Sequence, residues 1–141
     1  TEIVELKDFI PAYTNAVQKL LEQLTNRPVK LTETTLKEII SQENTHLFFL
    51  LADQKIAGML TVGIYHSPTG GKAWIEDVVV DENTGDKTQQ TAGHPRCPVC
   101  EGTRHTSYYA YLKPHTDSSQ QAISKLGFEQ KQTNVYRMNL E

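Results

Sequence analysis

Two adjacent carboxylates, Glu76 and Asp77, sit in the middle of an apolar run, Ala73-Trp-Ile-Glu-Asp-Val-Val-Val-Asp81. A β-branched stretch of this kind reads as a strand packed on both faces, and it stops at the polar turn signal Glu82-Asn83-Thr84-Gly85. Period-two alternation places Trp74, Glu76, Val78 and Val80 on one face, and Ile75, Asp77, Val79 and Asp81 on the other. At least one carboxylate is therefore expected to share a face with core side chains. A carboxylate partly withdrawn from water holds its proton to higher pH and can serve as a general base near neutrality. The same residue could instead pair with a nearby Lys or Arg and do no chemistry, since structural ion pairs also perturb carboxylates.

A second group with chemical potential is His94-Pro-Arg-Cys97-Pro-Val-Cys100-Glu-Gly-Thr-Arg-His105, with two thiols and two imidazoles. Cys-Pro-x-Cys is similar to a zinc-ribbon knuckle, which presents two thiolates to one ion. A ribbon uses two knuckles, and the chain has 2 cysteines in all, so no metal is expected as the leading reading. Reduced surface thiols or a local disulfide are the competing readings. Tyr108, Tyr109 and Tyr111 could stack on bases, but no basic groove accompanies them, and strand packing is the expectation. His46, His66 and His115 read as surface or turn residues.

The elements that must position these groups follow from a chain of 141 residues, 38% hydrophobic and 22% charged, with a formal net charge of −3. That length suits one domain, spanning residues 1–141, with a core of its own. Lys and Arg are scattered rather than striped, which argues against nucleic acid as a partner. No apolar run reaches the length of a membrane span, and the start lacks a signal-peptide profile, so a cytoplasmic location is expected.

Ile3–Leu6 reads as a short strand. Asp8 can cap the helix that follows over 9–25, where Phe9, Tyr13, Val17, Leu20, Leu21 and Leu24 recur at three and four, with Pro11 in its first turn. Asn26-Arg27-Pro28 ends it. Thr32 to Thr35 offer caps for a second helix that buries Leu36, Ile39 and Ile40. His46–Ala52 is a buried strand, Asp53-Gln54-Lys55 a tight turn and Ile56–Tyr65 a longer strand, where Gly58 and Gly63 mark a bulge or close backbone approach. Ser67-Pro-Thr-Gly-Gly71 is read as a loop into the carboxylate strand. Residues 84–107 show no helical or alternating period. Beyond them come a strand at Tyr108–Leu112, a helix over 114–126 ended by Gly127, and a closing hairpin of 128–132 with 135–140.

Three strings carry a family resemblance: Leu51-Ala-Asp-Gln-Lys-Ile-Ala-Gly-Met59, Trp74-Ile-Glu-Asp-Val-Val-Val-Asp-Glu-Asn83, and Lys125-Leu-Gly-Phe128 followed by Tyr-Arg-Met. Together, over about 1–83 and 122–141, they resemble the GNAT superfamily of acetyl-CoA-dependent N-acetyltransferases. The resemblance implies an α+β (mixed α/β) fold with a mostly antiparallel sheet of about six to seven strands and about four flanking helices. It implies fourth and fifth strands that splay, so that backbone groups of Val78, Val79 and Val80 hold the pantetheine arm of acetyl-CoA. Glu76, by position, would take a proton from a primary amine of a small molecule or peptide. A homodimer is left open.

The loop after the fourth strand would receive the pyrophosphate, where free N–H groups and a helix dipole favour anions. The family pattern there is Arg/Gln-x-x-Gly-x-Gly/Ala. The matching positions are Gly85, Asp86, Lys87, Thr88, Gln89 and Gln90, with Thr91 next, so both glycines are replaced and Lys87 is the one clear phosphate partner. A helix continuing through His94-Pro-Arg-Cys-Pro98 would lose about 3 kcal/mol at each interior proline. The Tyr that the family often supplies as general acid is Ile123 here. The alternative to an enzyme is thus a disabled binding module on the same scaffold, with a structural zinc knuckle at 94–105.

Overall fold

The computed structural model describes residues 2–84, 107–110, 129–131 and 136–139. In chain order they form β1 (Glu2–Glu5), α1 (Pro11–Thr25), α2 (Glu33–Ser41), β2 (Thr45–Ala52), β3 (Lys55–Ser67), β4 (Gly70–Val80), a 3-10 turn at Glu82–Thr84, and β5 (Ser107–Ala110). The sheet order is β1-β2-β3-β4-β5. β1 to β4 are antiparallel neighbours, and β5 lies parallel to β4.

The local chemistry explains the boundaries. Pro11 opens α1, where its missing N–H costs nothing, and Asn26 closes it in the left-handed region at φ 51°. Asp8 does not cap α1; Ile10 holds that position without a side-chain bond. Thr32 does cap α2, its Oγ1 accepting from the Thr35 N–H at 3.1 Å. Asp53 and Gln54 turn β2 into β3 with φ of 49° and 62°, a pair of left-handed residues matching the twist of a two-residue hairpin.

Both helices cover one face of the sheet. Leu6, Val17, Leu20, Leu36, Leu47, Phe49, Met59 and Val79 form the core there, with Tyr13 set edge-on to Phe49 at 5.2 Å. The other face gathers Phe48, Val62 and Ala73, flanked by Ile3, Leu60, Ile64 and Ile75. His46 belongs to this half-buried ladder rather than to the surface: its Nδ1 lies 2.7 Å from Glu5 Oε1 on the neighbouring strand. Burial pushes the Glu5 carboxyl up, but the bonds from His46 and Lys7 outweigh it and hold Glu5 below its ordinary value.

Several expectations change. The loop at 67–71 is a two-residue turn, because β3 and β4 stay paired out to Ser67 and Gly70. Glu129–Lys131 and Tyr136–Asn139 are exposed and outside any strand, so the closing hairpin is not seen among the described residues. There the sheet has five strands, with two helices, fewer than expected. The helix at 114–126 and the residues Tyr111 and Leu112 lie outside those described. So do His94, Cys97, Cys100 and His105. Among the described residues, no helix is long and apolar enough to cross a membrane, and no three His, Cys, Asp or Glu side chains group as a metal ion would need.

The two glycines of β3 differ in role. A Cβ on Gly58 would stand 2.7 Å from the Val79 carbonyl oxygen and 3.3 Å from Val80 Cα, whereas one on Gly63 would meet nothing within 4 Å. Backbone cannot yield as a flexible side chain can. Gly58→Ala is therefore expected to cost about 1–3 kcal/mol of unfolding free energy in a urea titration. Gly63→Ala should change it by less than about 0.5 kcal/mol. Equal effects would show that the strands are not in close approach at Gly58.

Candidate active site

β4 is not a regular strand. Thr61 pairs with Glu76 and Met59 with Val79, so Asp77 and Val78 together stand opposite Leu60. Asp77 takes φ 51°. This is a β-bulge, and Asp tolerates the left-handed region better than the β-branched residues around it.

The bulge overturns the simple alternation. Before it, Trp74 and Glu76 share a face with Gly63 and Thr61, while Ala73 and Ile75 join the Phe48–Val62 core. After it, Val79 is on the helix side with Met59, and Val80 pairs with Gly58 beside Leu50. Glu76 is thus on the face of Val79, not of Val80. Glu76 and Asp77 are both exposed, so the expected burial of a carboxylate in this strand is not found.

Gln23 near the end of α1 reaches the exit of β4, donating to Asp81 Oδ1 at 3.2 Å and accepting from the Glu82 N–H at 3.4 Å. The Asp81 N–H binds the Ala57 carbonyl at 2.8 Å, and Asp81 Oδ1 accepts from both the backbone and the side chain of Asn83 at 2.9 Å. The Asn83 N–H is the main cause holding the Asp81 carboxyl below its ordinary value, with help from Gln23, the Asn83 side chain and Lys19 against a modest burial penalty. The end of β4 is therefore anchored to α1 and β3.

On the outer edge, β4 meets β5 over Lys72–Ser107, Ala73–Tyr108, Trp74–Tyr109 and Ile75–Ala110. Among the described residues, Glu76 to Val80 have no strand partner on that side. The bulge, the exposed Glu76 and a main-chain edge that has no β5-side partner among the described residues thus coincide. Such an edge can receive an extended ligand as an added strand. On the second face, the strands leave an apolar crevice of about 20 Å³ near Ile3, Phe48 and Val78, too small for more than a water. Gly85, Asp86, Lys87, Thr88, Gln89, Gln90 and Thr91 lie outside the described residues.

No family profile matches the chain, and no curated protein sequence does. Solved structures do. An aminoglycoside acetyltransferase from an uncultured soil metagenomic sample, determined with sisomicin, superposes with a TM-score of 0.82 at 16% identity, over 99% of this chain and 96% of that one. The fold is that of the GNAT acetyltransferases. AAC(6')-Iy, solved with the bisubstrate analogue CoA-S-monomethyl-acetylneamine, gives a TM-score of 0.67 at 20% identity, covering 99% of this chain and 98% of its own. A protein described as a transcriptional regulator, from Bacillus halodurans, reaches 0.71 at 18% identity with 99% of both chains covered. The GNAT scaffold is thus shared by proteins with different described roles, and the site itself must carry the argument for activity.

Sequence periodicity missed the bulge, since Val-Val-Val continues past it without a break. An Asp between Glu and a valine run was the one local signal. Asp77→Val, forcing a β-branched residue into the left-handed region, is expected to destabilise by about 1–2 kcal/mol in urea unfolding. Asp77→Gly should stay within about 0.5 kcal/mol; a tolerant Asp77→Val would deny the bulge.

Asp81 gives a pH signature. Its carboxyl is held low in the folded state, so its contribution is present above the unfolded carboxylate value of about 3.9 and is lost as pH falls through the lower folded value. Wild type should exceed Asp81→Asn in stability at pH 7, and the gap should close below about pH 4 in thermal melts across pH. A gap that persists at pH 2.5 would show that the charge is not its source.

Proposed function

We propose that the chain is an N-acetyltransferase that transfers the acetyl group of acetyl-CoA to a primary amine. The observation that carries this reading is the coincidence on β4 of the Asp77 bulge, the exposed Glu76 carboxylate and a main-chain edge from Glu76 to Val80 that has no β5-side partner among the described residues. The GNAT fold supports it, as do acetyltransferases among the structures that share the fold.

The residues present fit the cosubstrate in part. The edge formed by Val78, Val79 and Val80, which has no strand partner on its β5 side among the described residues, would offer backbone donors and acceptors to the amides of a pantetheine arm. Residues 85–91, with Lys87 as the cation, would hold the pyrophosphate. Bound there, acetyl-CoA supplies an activated acyl thioester. Glu76 takes the proton that the acceptor amine must lose to become a nucleophile, directly or through one water. Main-chain N–H groups at the bulge donate to the acyl oxygen as negative charge gathers on it, without reorganising during the reaction. The leaving thiolate takes the proton that Glu76 gained from the ammonium, and the nitrogen, cationic once it has bonded to the acyl carbon, gives up its extra proton to water.

The second reading, a binding module without turnover, is favoured by the loop sequence, where Thr88 and Gln90 stand at the two glycine positions. Acetyl-CoA separates the two. In the enzyme reading, saturating acetyl-CoA raises the melting temperature by several degrees, and amine-dependent release of free thiol is seen. Glu76→Gln should then lower kcat about a hundredfold or more while keeping the acetyl-CoA shift. No shift would favour the module, and an unchanged kcat in Glu76→Gln would remove that carboxylate from the mechanism.

A further inference from the structure

Outward from Glu76, the same face of the β3–β4 arm carries a second set of polar groups. Cross-strand register stacks Thr61 with Glu76, Gly63 with Trp74, and Tyr65 with Lys72 on one side of the sheet. Gly63 leaves that face low in the middle, because it has no side chain and nothing lies within 4 Å of where one would be. Tyr65 is 45% exposed, and its hydroxyl accepts from Trp74 Nε1 at 3.2 Å, which fixes the ring as a platform. At the far end, the half-buried Lys72 ammonium donates to Ser67 Oγ and, at 2.6 Å, to Thr69 Oγ1. It also sits 5.8 Å from the centre of the Tyr65 ring.

This end is built to take an anion. An ammonium has three N–H donors, and two of Lys72's go to the hydroxyls, leaving a third for a ligand. The two hydroxyls are joined at 3.0 Å, which uses one O–H and leaves the other to donate. No carboxylate pairs with Lys72 among the described residues; the ion pairs there involve Glu5 with Lys7 and with His46. The turn that holds the cluster is a tight two-residue hairpin, so the donors are held together before any ligand arrives.

We infer that this cluster is the anion subsite of the acceptor, so that the molecule acetylated carries a carboxylate as well as its amine. The inference rests on the acetyltransferase reading for the amine end. Lys72 and Glu76 are four strand residues apart, about 13 Å at about 3.3 Å per residue. An extended peptide spans about 3.3–3.6 Å per residue, so one of about three to four residues reaches between them. Its N-terminal amine sits at Glu76, its stem crosses Gly63 and rests on Tyr65, and its C-terminal carboxylate takes the Lys72 ammonium and the free hydroxyl. The charges complement each other at both ends.

Calorimetric titration of the protein with a free tetrapeptide containing one aromatic residue, and with its C-terminal amide, tests the assignment. The free acid should bind about tenfold more tightly than the amide, as expected for a hydrogen-bonded charge pair. In Lys72→Met the acid should bind no better than the amide, and Lys72→Arg should keep part of the preference. Circular dichroism melts confirm that the variants fold. Equal binding of acid and amide to wild type, or a preference undiminished in Lys72→Met, overturns the subsite. Acetylation of both peptides with no preference defeats the inference and leaves the enzyme reading standing. A clear preference without acetylation of either peptide defeats the enzyme reading and leaves the anion subsite standing.

Discussion

Two residues of β4, Asp77 and Val78, face one residue of β3, and that mismatch sets where every group of interest points. Without it, Glu76 would share a side with Val78 and Val80. With it, Glu76 stands in line with the core residue Val79 and is nonetheless exposed. The close approach at Gly58, where a Cβ would strike the Val79 carbonyl, holds the two strands together immediately past the bulge. The Gln23–Asp81 contact pins the strand's exit to α1. Irregularity is thus confined to one point between regular pairing on one side and a clamp on the other. Confinement of that kind is how a bulge re-aims a side chain without loosening the sheet.

The fold was legible wherever local chemistry and tertiary packing agree. The spacing of Tyr13, Val17, Leu20 and Leu24 gives α1 because the face that period defines is the one the sheet covers. Thr32 announces α2 because a hydroxyl before a helix has few better uses than capping it. Asp53-Gln54 reads as a turn because short polar side chains tolerate the left-handed conformations it needs. The candidate site was legible in composition but not in geometry. Periodicity assumes an unbroken phase, and a bulge is a change of phase that leaves no mark in hydrophobicity. Glu76 does lie on the face of the core residue Val79, yet it is exposed, because the core on that face does not extend as far as Glu76. Gly58 and Gly63 look alike in sequence, since absence of a side chain in a strand does not say whether backbone or empty space replaces it. The hydroxyl cluster at Ser67, Thr69 and Lys72 escaped notice because a loop was expected where two strands remain paired.

The phosphate end of the proposed site is a different matter. Its sequence, Gly85 to Thr91, departs from the resemblance that the preceding strands carry, and its residues lie outside those described. The structural likeness spans the chain, yet identities of 16–20% preserve a backbone course far better than they preserve the side chains that read a ligand. The case for chemistry therefore rests on β3 and β4, whose pairing, bulge and exposed groups are all in view.

Paired strands of L-residues twist in one sense, and the floor between Glu76 and Lys72 is made of such strands. A surface with a fixed screw is itself chiral on the length scale of anything laid along it. The ladder that runs from Thr61 and Glu76 out to Tyr65 and Lys72 would therefore tell a molecule from its mirror image through the sweep of the backbone, before any single side chain inspects a stereocentre.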